Sequence, residues 1–67
     1  MAEYFLIKDT IYKEYYCQSE DGIIWTFLKN IKLAYKFTTE LDAEKKILYL
    51  FKNSIRLTHY IILKKNN

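Results

Sequence analysis

Between Trp25 and Leu50 the apolar pattern changes period once, and that change limits what the chain can fold into. Trp25-Thr26-Phe27 ends an extended run, and Asn30 to Phe37 forms a short connection. Thr38-Thr39-Glu40-Leu41-Asp42-Ala43 then leads into the only long stretch with helical spacing. At about 100° per residue, Ala43, Ile47, Leu48, Leu50 and Phe51 form a broad apolar stripe with Leu41 at its edge. Tyr49 falls on the other side, among Asp42, Lys45, Lys46, Lys52 and Asn53. Everything before and after this helix reads as strand. One helix among strands is most simply packed as a two-layer α+β sandwich in the order β-β-β-α-β.

The helix has recognisable ends. Thr38 or Thr39 is its N-cap, and if Thr39 caps, Asp42 takes the acid position of a capping-box-like arrangement. Glu40, Asp42 and Glu44 crowd the first turns, and the lysines follow, as the helix dipole prefers. Asn53-Ser54 closes it.

The strands are read by alternation and by their turns. Tyr4 to Ile7 is a first strand, Lys8-Asp9-Thr10 a tight hairpin turn, and Ile11 to Cys17 a second strand. In it Ile11, Lys13, Tyr15 and Cys17 share one face, while Tyr12, Glu14 and Tyr16 share the other. Ser19-Glu20-Asp21-Gly22 is the clearest turn, since Asp-Gly supplies positive φ and Gly22 is the only glycine. Ile23 to Leu28 is a third strand, apolar on both faces and therefore expected to be central or well covered. Asn30 is placed to cap a short helical turn carrying Ile31, Ala34 and Tyr35, after which Phe37 returns to the core. Ile55 to Lys64 is a closing strand. Its inner face is expected to hold Ile55, Leu57, His59, Ile61 and Leu63, and its outer face Arg56, Thr58, Tyr60, Ile62 and Lys64. The first three strands make an antiparallel meander, and the last strand is expected beside the first, in the order 4-1-2-3. Residues 1–67 form one domain, since a chain this short buries only about 60% of its unfolded surface.

Chemistry-bearing residues are few. There is one His and one Cys, so neither a Cys/His pair nor a multi-ligand metal site is indicated. One glycine rules out a Gly-rich phosphate loop. His59 reads as a structural histidine, Cys17 as a small core hydrophobe and Trp25 as core. No catalytic residue, metal ligand or cofactor is assigned, and the chain reads as a non-enzyme. The unpaired Cys17, the absence of a signal-peptide pattern and the lack of a long apolar run point to a cytoplasmic protein without a membrane span.

Charge is unevenly spread. Residues 1–21 carry a balance of −3, and residues 45–67 hold six basic residues without an acid. Two surfaces are then candidates for partner binding. The outer helix face presents Tyr49 among Lys45, Lys46 and Lys52, with tyrosine a frequent interface anchor. The sheet face away from the helix is expected to present Tyr12, Tyr16, Arg56, Tyr60 and Ile62, with Ile24 or Trp25 depending on register. One helix cannot cover both sides of a four-stranded sheet, and uncovered aromatics mark an interaction or homodimer surface.

Trp25-Thr26, then Ala34-Tyr35-Lys36-Phe37-Thr38, then Ala43, resembles a pattern in short phage and prophage proteins. In these a strand ending in Trp leads through an Ala-x-x-Phe-Thr step to a helix with an early Ala. The resemblance covers the middle third of the chain and transfers no functional residue. It implies an accessory protein of a mobile element, some of whose relatives block a host protein, including defence nucleases. The resulting expectation is a small non-enzymatic module that docks on another protein, with the resemblance implying a phage-type inhibitor in a host cytoplasm. The alternative is a nucleic-acid-binding module using the Lys/Arg-rich C-terminal third and exposed tyrosines.

Overall fold

Four strands and one helix follow one another in the order β-β-β-α-β in the computed structural model, which describes residues 2–54 and 58–66. The strands are β1 (Glu3–Asp9), β2 (Glu14–Gln18), β3 (Trp25–Leu28) and β4 (Tyr60–Asn66), and the helix is α1 (Glu40–Asn53). They make one antiparallel sheet in the order β3-β2-β1-β4, the expected arrangement seen from its other edge.

Local chemistry sets the ends of these elements. Thr39 caps α1, its Oγ1 accepting the Asp42 N–H at 3.2 Å. Asn30 caps a 3-10 turn at Ile31–Leu33, its Oδ1 accepting the Lys32 N–H at 3.0 Å. Gly22 takes a φ of 75° in the turn before β3, where the Asp21 carboxylate accepts the Ile23 N–H and the Ser19 hydroxyl accepts that of Ile24. The first hairpin turns later than expected. Lys8 and Asp9 continue β1, and the turn runs through Thr10 to Lys13. The buried Asp9 carboxylate accepts the N–H groups of Ile11 and Tyr12, so a side chain organises the turn. Ile11 and Tyr12 therefore lie in an exposed turn rather than in a strand.

The middle of the sheet is built around a fork. β1 and β2 pair at Lys8↔Tyr15 and Asp9↔Glu14. Beyond these pairs Phe5 exchanges two backbone hydrogen bonds with Phe37, each 2.8 Å, while the Tyr35 N–H donates to the Tyr16 carbonyl at 2.9 Å. Residues 35–37 thus fill the gap between the two strands. Their alternation sends Tyr35 and Phe37 into the core side and Lys36 to the other side.

The core lies between the sheet and α1. Phe5, Ile7, Tyr16, Phe37, Ala43, Leu50 and Tyr60 form it, with Trp25, Phe27, Tyr35, Ile47 and Ile62 packed against it. Its rings are in mutual contact. Tyr16 lies 5.9 Å from both Phe27 and Phe37, and Phe27 lies 5.7 Å from Tyr60, centroid to centroid. Such pairs each add roughly 0.5–1.5 kcal/mol beyond their area burial.

Burial departs from expectation in three places. Tyr16 and Tyr60, expected on the open sheet face, are 0% and 8% exposed and belong to the core. The pairing Asp9↔Tyr60 and Ile7↔Ile62 places Tyr60 and Ile62 on the face of Ile7, while Ile61 and Leu63 go to the opposite one. β3 is a four-residue edge strand rather than a central one, and Ile23 and Ile24 are exposed in the turn before it. The strand buried on both faces is β1, where Phe5, Leu6 and Ile7 are all buried. The helix buries only Ala43 and Leu50 fully, and Leu48 is 64% exposed, with Leu41 and Phe51 also exposed. Aromatic rings rising from the sheet meet a narrow ridge of α1, so Leu41 and Leu48 stay outside, while Ile47 is half-buried and Phe51 reaches the Tyr60 ring. Ile55, Arg56 and Leu57, the first three residues of the expected closing strand, lie outside the described residues. Thr58 and His59 precede β4, and the exposed His59 accepts at its carbonyl from both the N–H and the hydroxyl of Thr10.

Candidate functional site

The end of β2, the 35–37 return and the first half of α1 enclose an open groove of about 340 Å³. Gln18, Tyr35 and Phe37 form one wall, and Asp42, Lys45, Lys46 and Tyr49 the other. Helical spacing explains the second wall, because residues 42, 45, 46 and 49 share a flank of α1. The first wall follows from the fork, which carries Tyr35 and Phe37 up to the helix N-terminus. Tyr35 and Phe37 meet edge to face at 4.8 Å.

Lys46 is the hinge of this arrangement. It is half-buried, with its ammonium 4.9 Å from the Tyr49 ring centroid and 5.9 Å from that of Tyr16. Tyr16 is buried beneath Lys46 and donates its hydroxyl to Gln18 Oε1 at 2.8 Å. Burial pushes the Tyr16 phenol up to about 12, with the phenols of Tyr49 and Tyr35 and the Cys17 thiol adding to the effect. Tyr49 is 45% exposed, and its carbonyl accepts the Asn53 side-chain amide at 2.8 Å.

Of the residues singled out in the sequence, Lys45, Lys46 and Tyr49 come together at this groove. Tyr16 contributes from beneath it. Lys52 is exposed one turn further along α1 and does not line it. Tyr12 sits in the β1–β2 turn, where its carbonyl accepts from Lys29 Nζ at 3.2 Å. Tyr60 is covered by Phe27 and Phe51, and Arg56 lies outside the described residues. Gln18, Tyr35, Phe37 and Asp42 were not singled out. For Tyr35 and Phe37 the signal was the alternation Tyr35-Lys36-Phe37 just ahead of the Thr39 cap, since an extended segment there places two rings on one side, though which side required the fork.

The groove offers two ammonium groups, one exposed and one half-buried phenol ring, an amide and one carboxylate. No group of three or more His, Cys, Asp or Glu is placed to hold a metal ion among the described residues. No helix among them is long and apolar enough to cross a membrane. Cys17 is buried beyond the groove, and burial raises its thiol pKa. Compared with family models, curated proteins and solved structures, the chain matches none.

Proposed function

We propose that this is a small non-enzymatic binding module that docks on another protein through the groove of Lys45, Lys46, Tyr49 and Tyr35. The observation that carries the reading is the Lys46 ammonium held beside Tyr49 and over Tyr16 at the groove mouth. A cation positioned by two rings loses little freedom when a partner arrives, and ordering long side chains is a main cost of association. The exposed tyrosine beside it is the residue type that most often anchors an interface. Asp42 supplies the opposite charge at one end of the groove, so a partner with mixed charge around an apolar insertion fits best. The phage-type resemblance of the middle third narrows the proposed partner to a host protein, such as a defence nuclease, met in the host cytoplasm.

Affinity capture from a host lysate tests this reading. Wild type is expected to retain a protein that Tyr49→Ala and Lys46→Ala lose at least tenfold, while Tyr12→Ala retains it. Thermal unfolding of the variants run alongside separates lost contact from lost structure. If all four proteins retain the same material, or none retains any, the groove is not a docking site.

A further inference from the structure

The opposite face of the sheet holds a second concavity of different chemistry. Tyr4, Leu6, Ile31, Lys32, Lys36 and Lys65 line a half-open cleft of about 470 Å³. The topology assembles it from three places. Tyr4 and Leu6 alternate away from the helix on β1, and Lys65 is the cross-strand partner of Tyr4 on β4. The capped 3-10 turn sets Ile31 and Lys32 over that face, and the fork sends Lys36 through to it. The Lys36 ammonium stands 4.8 Å from the Tyr4 ring centroid, so charge and ring share one wall.

Three features limit what fits. First, among the described residues three ammonium groups line the cleft and no side-chain carboxylate does. Glu3, the acid at the start of β1, is paired with Lys64 at 3.3 Å, and both alternate to the helix side of the sheet. The ligand is therefore anionic. Second, the floor is apolar, made by Leu6 and Ile31. An acidic peptide would satisfy the lysines and leave this floor unused. Third, a ring stands beside the charges. A nucleotide supplies both halves, a phosphate for the lysines and a flat base for Tyr4 and the apolar floor. A base is free to enter a concave site only when it is unpaired, which excludes a duplex.

We propose that this cleft binds single-stranded nucleic acid, with Lys32, Lys36 and Lys65 on phosphate and Tyr4 against a base. The site is separate from the α1 groove, and its lysines differ from Lys45, Lys46 and Lys52 of the helix. It stands or falls independently of the docking reading above.

The test is fluorescence anisotropy with a labelled oligothymidine, titrated between about 50 and 200 mM salt, the range over which phosphate contacts lose affinity steeply. Three lysine contacts predict a slope of log K against log salt of about −2, at ~0.7 per phosphate for a single strand. Lys36→Ala and Lys32→Ala are each expected to weaken binding and flatten the slope by about 0.7. Tyr4→Ala is expected to weaken binding about tenfold with the slope unchanged, and Tyr4→Phe to restore it, since stacking needs the ring and not the hydroxyl. A labelled polyglutamate of equal charge, run in parallel, is expected to bind far more weakly. The proposal is overturned by absence of oligothymidine binding at the lowest salt, or by equal binding of polyglutamate with no effect of Tyr4→Ala. It is also overturned if Lys45→Ala with Lys46→Ala weakens oligothymidine binding as much as the cleft lysines do.

Discussion

The two faces of the sheet are built from different materials. On the helix side Tyr16, Trp25, Phe27, Phe37 and Tyr60 form a connected set of rings under Ala43 and Leu50. On the other side Leu6 and Cys17 are the buried residues of β1 and β2, flanked by Lys8 over the Tyr15 ring and roofed in part by the 3-10 turn. A capped helix of 14 residues covers the first face, and a connection whose 3-10 turn spans three residues lies over the second. Cooperative stability should therefore reside in the first face. The second has the weaker cover and the uncompensated charge, and it is the face that can open and exchange contacts at small cost.

Matched leucine truncations test this contrast most strongly. Leu50→Ala removes a fully buried side chain between helix and rings and is expected to cost about 4 kcal/mol in urea unfolding. Leu6→Ala, nearly as buried, is expected to cost about 2 kcal/mol, because the short turn above it can settle into the space. Equal costs would mean that the second face is a core of the same quality as the first.

Alkaline unfolding sharpens the comparison from the ring side. The folded Tyr16 phenol titrates near 12, above its ordinary value of 10.0. Its neutral form is the one that folding favours. The contribution is thus complete below pH ~10, and falls as the pH climbs from there toward ~12, because the unfolded chain alone ionises in that window. Wild type should lose on the order of 2 kcal/mol more than Tyr16→Phe across that interval. The variant itself should begin about 1 kcal/mol less stable at neutral pH, lacking the hydrogen bond to Gln18. Parallel pH profiles would show that the Tyr16 hydroxyl is solvated in the folded state.

The smallest effect is kinetic. Cys17 faces away from Tyr16, under the weaker cover, and burial holds its thiol above the ordinary range. Alkylation by iodoacetamide should be slow, yet insensitive to low urea, because it proceeds by local opening of the second face. A rate that rises with urea as steeply as global unfolding would show that both faces open together.

Much of this architecture is legible in the sequence, though unevenly. The helix cap, to within Thr38 or Thr39, the cap at Asn30, the Gly22 turn, the helix end at Asn53 and the return of Phe37 to the core were all readable. So were the element order and the placement of β4 beside β1. The candidate groove was half legible. Its helix wall followed from helical spacing, whereas its Tyr35 and Gln18 wall required the fork. The wrong facing of Tyr16 and Tyr60 had a specific cause. Leu6 is buried opposite Phe5 and Ile7, and Ile61 and Leu63 alternate with Tyr60 and Ile62, so apolar residues line both sides of β1 and β4.

What the sequence by itself determined was therefore the local part: which residues start, stop and cap each element. Those choices depend on hydrogen bonds and backbone angles within a few residues, and neighbours in the chain are enough to satisfy them. Only the tertiary structure decided which face of the sheet meets the helix, how far β1 and β2 stay paired, and that residues 35–37 close the fork between them. Those outcomes depend on how rings from five separate segments fill one space, and a strand with two apolar faces does not specify in advance which of them will be covered.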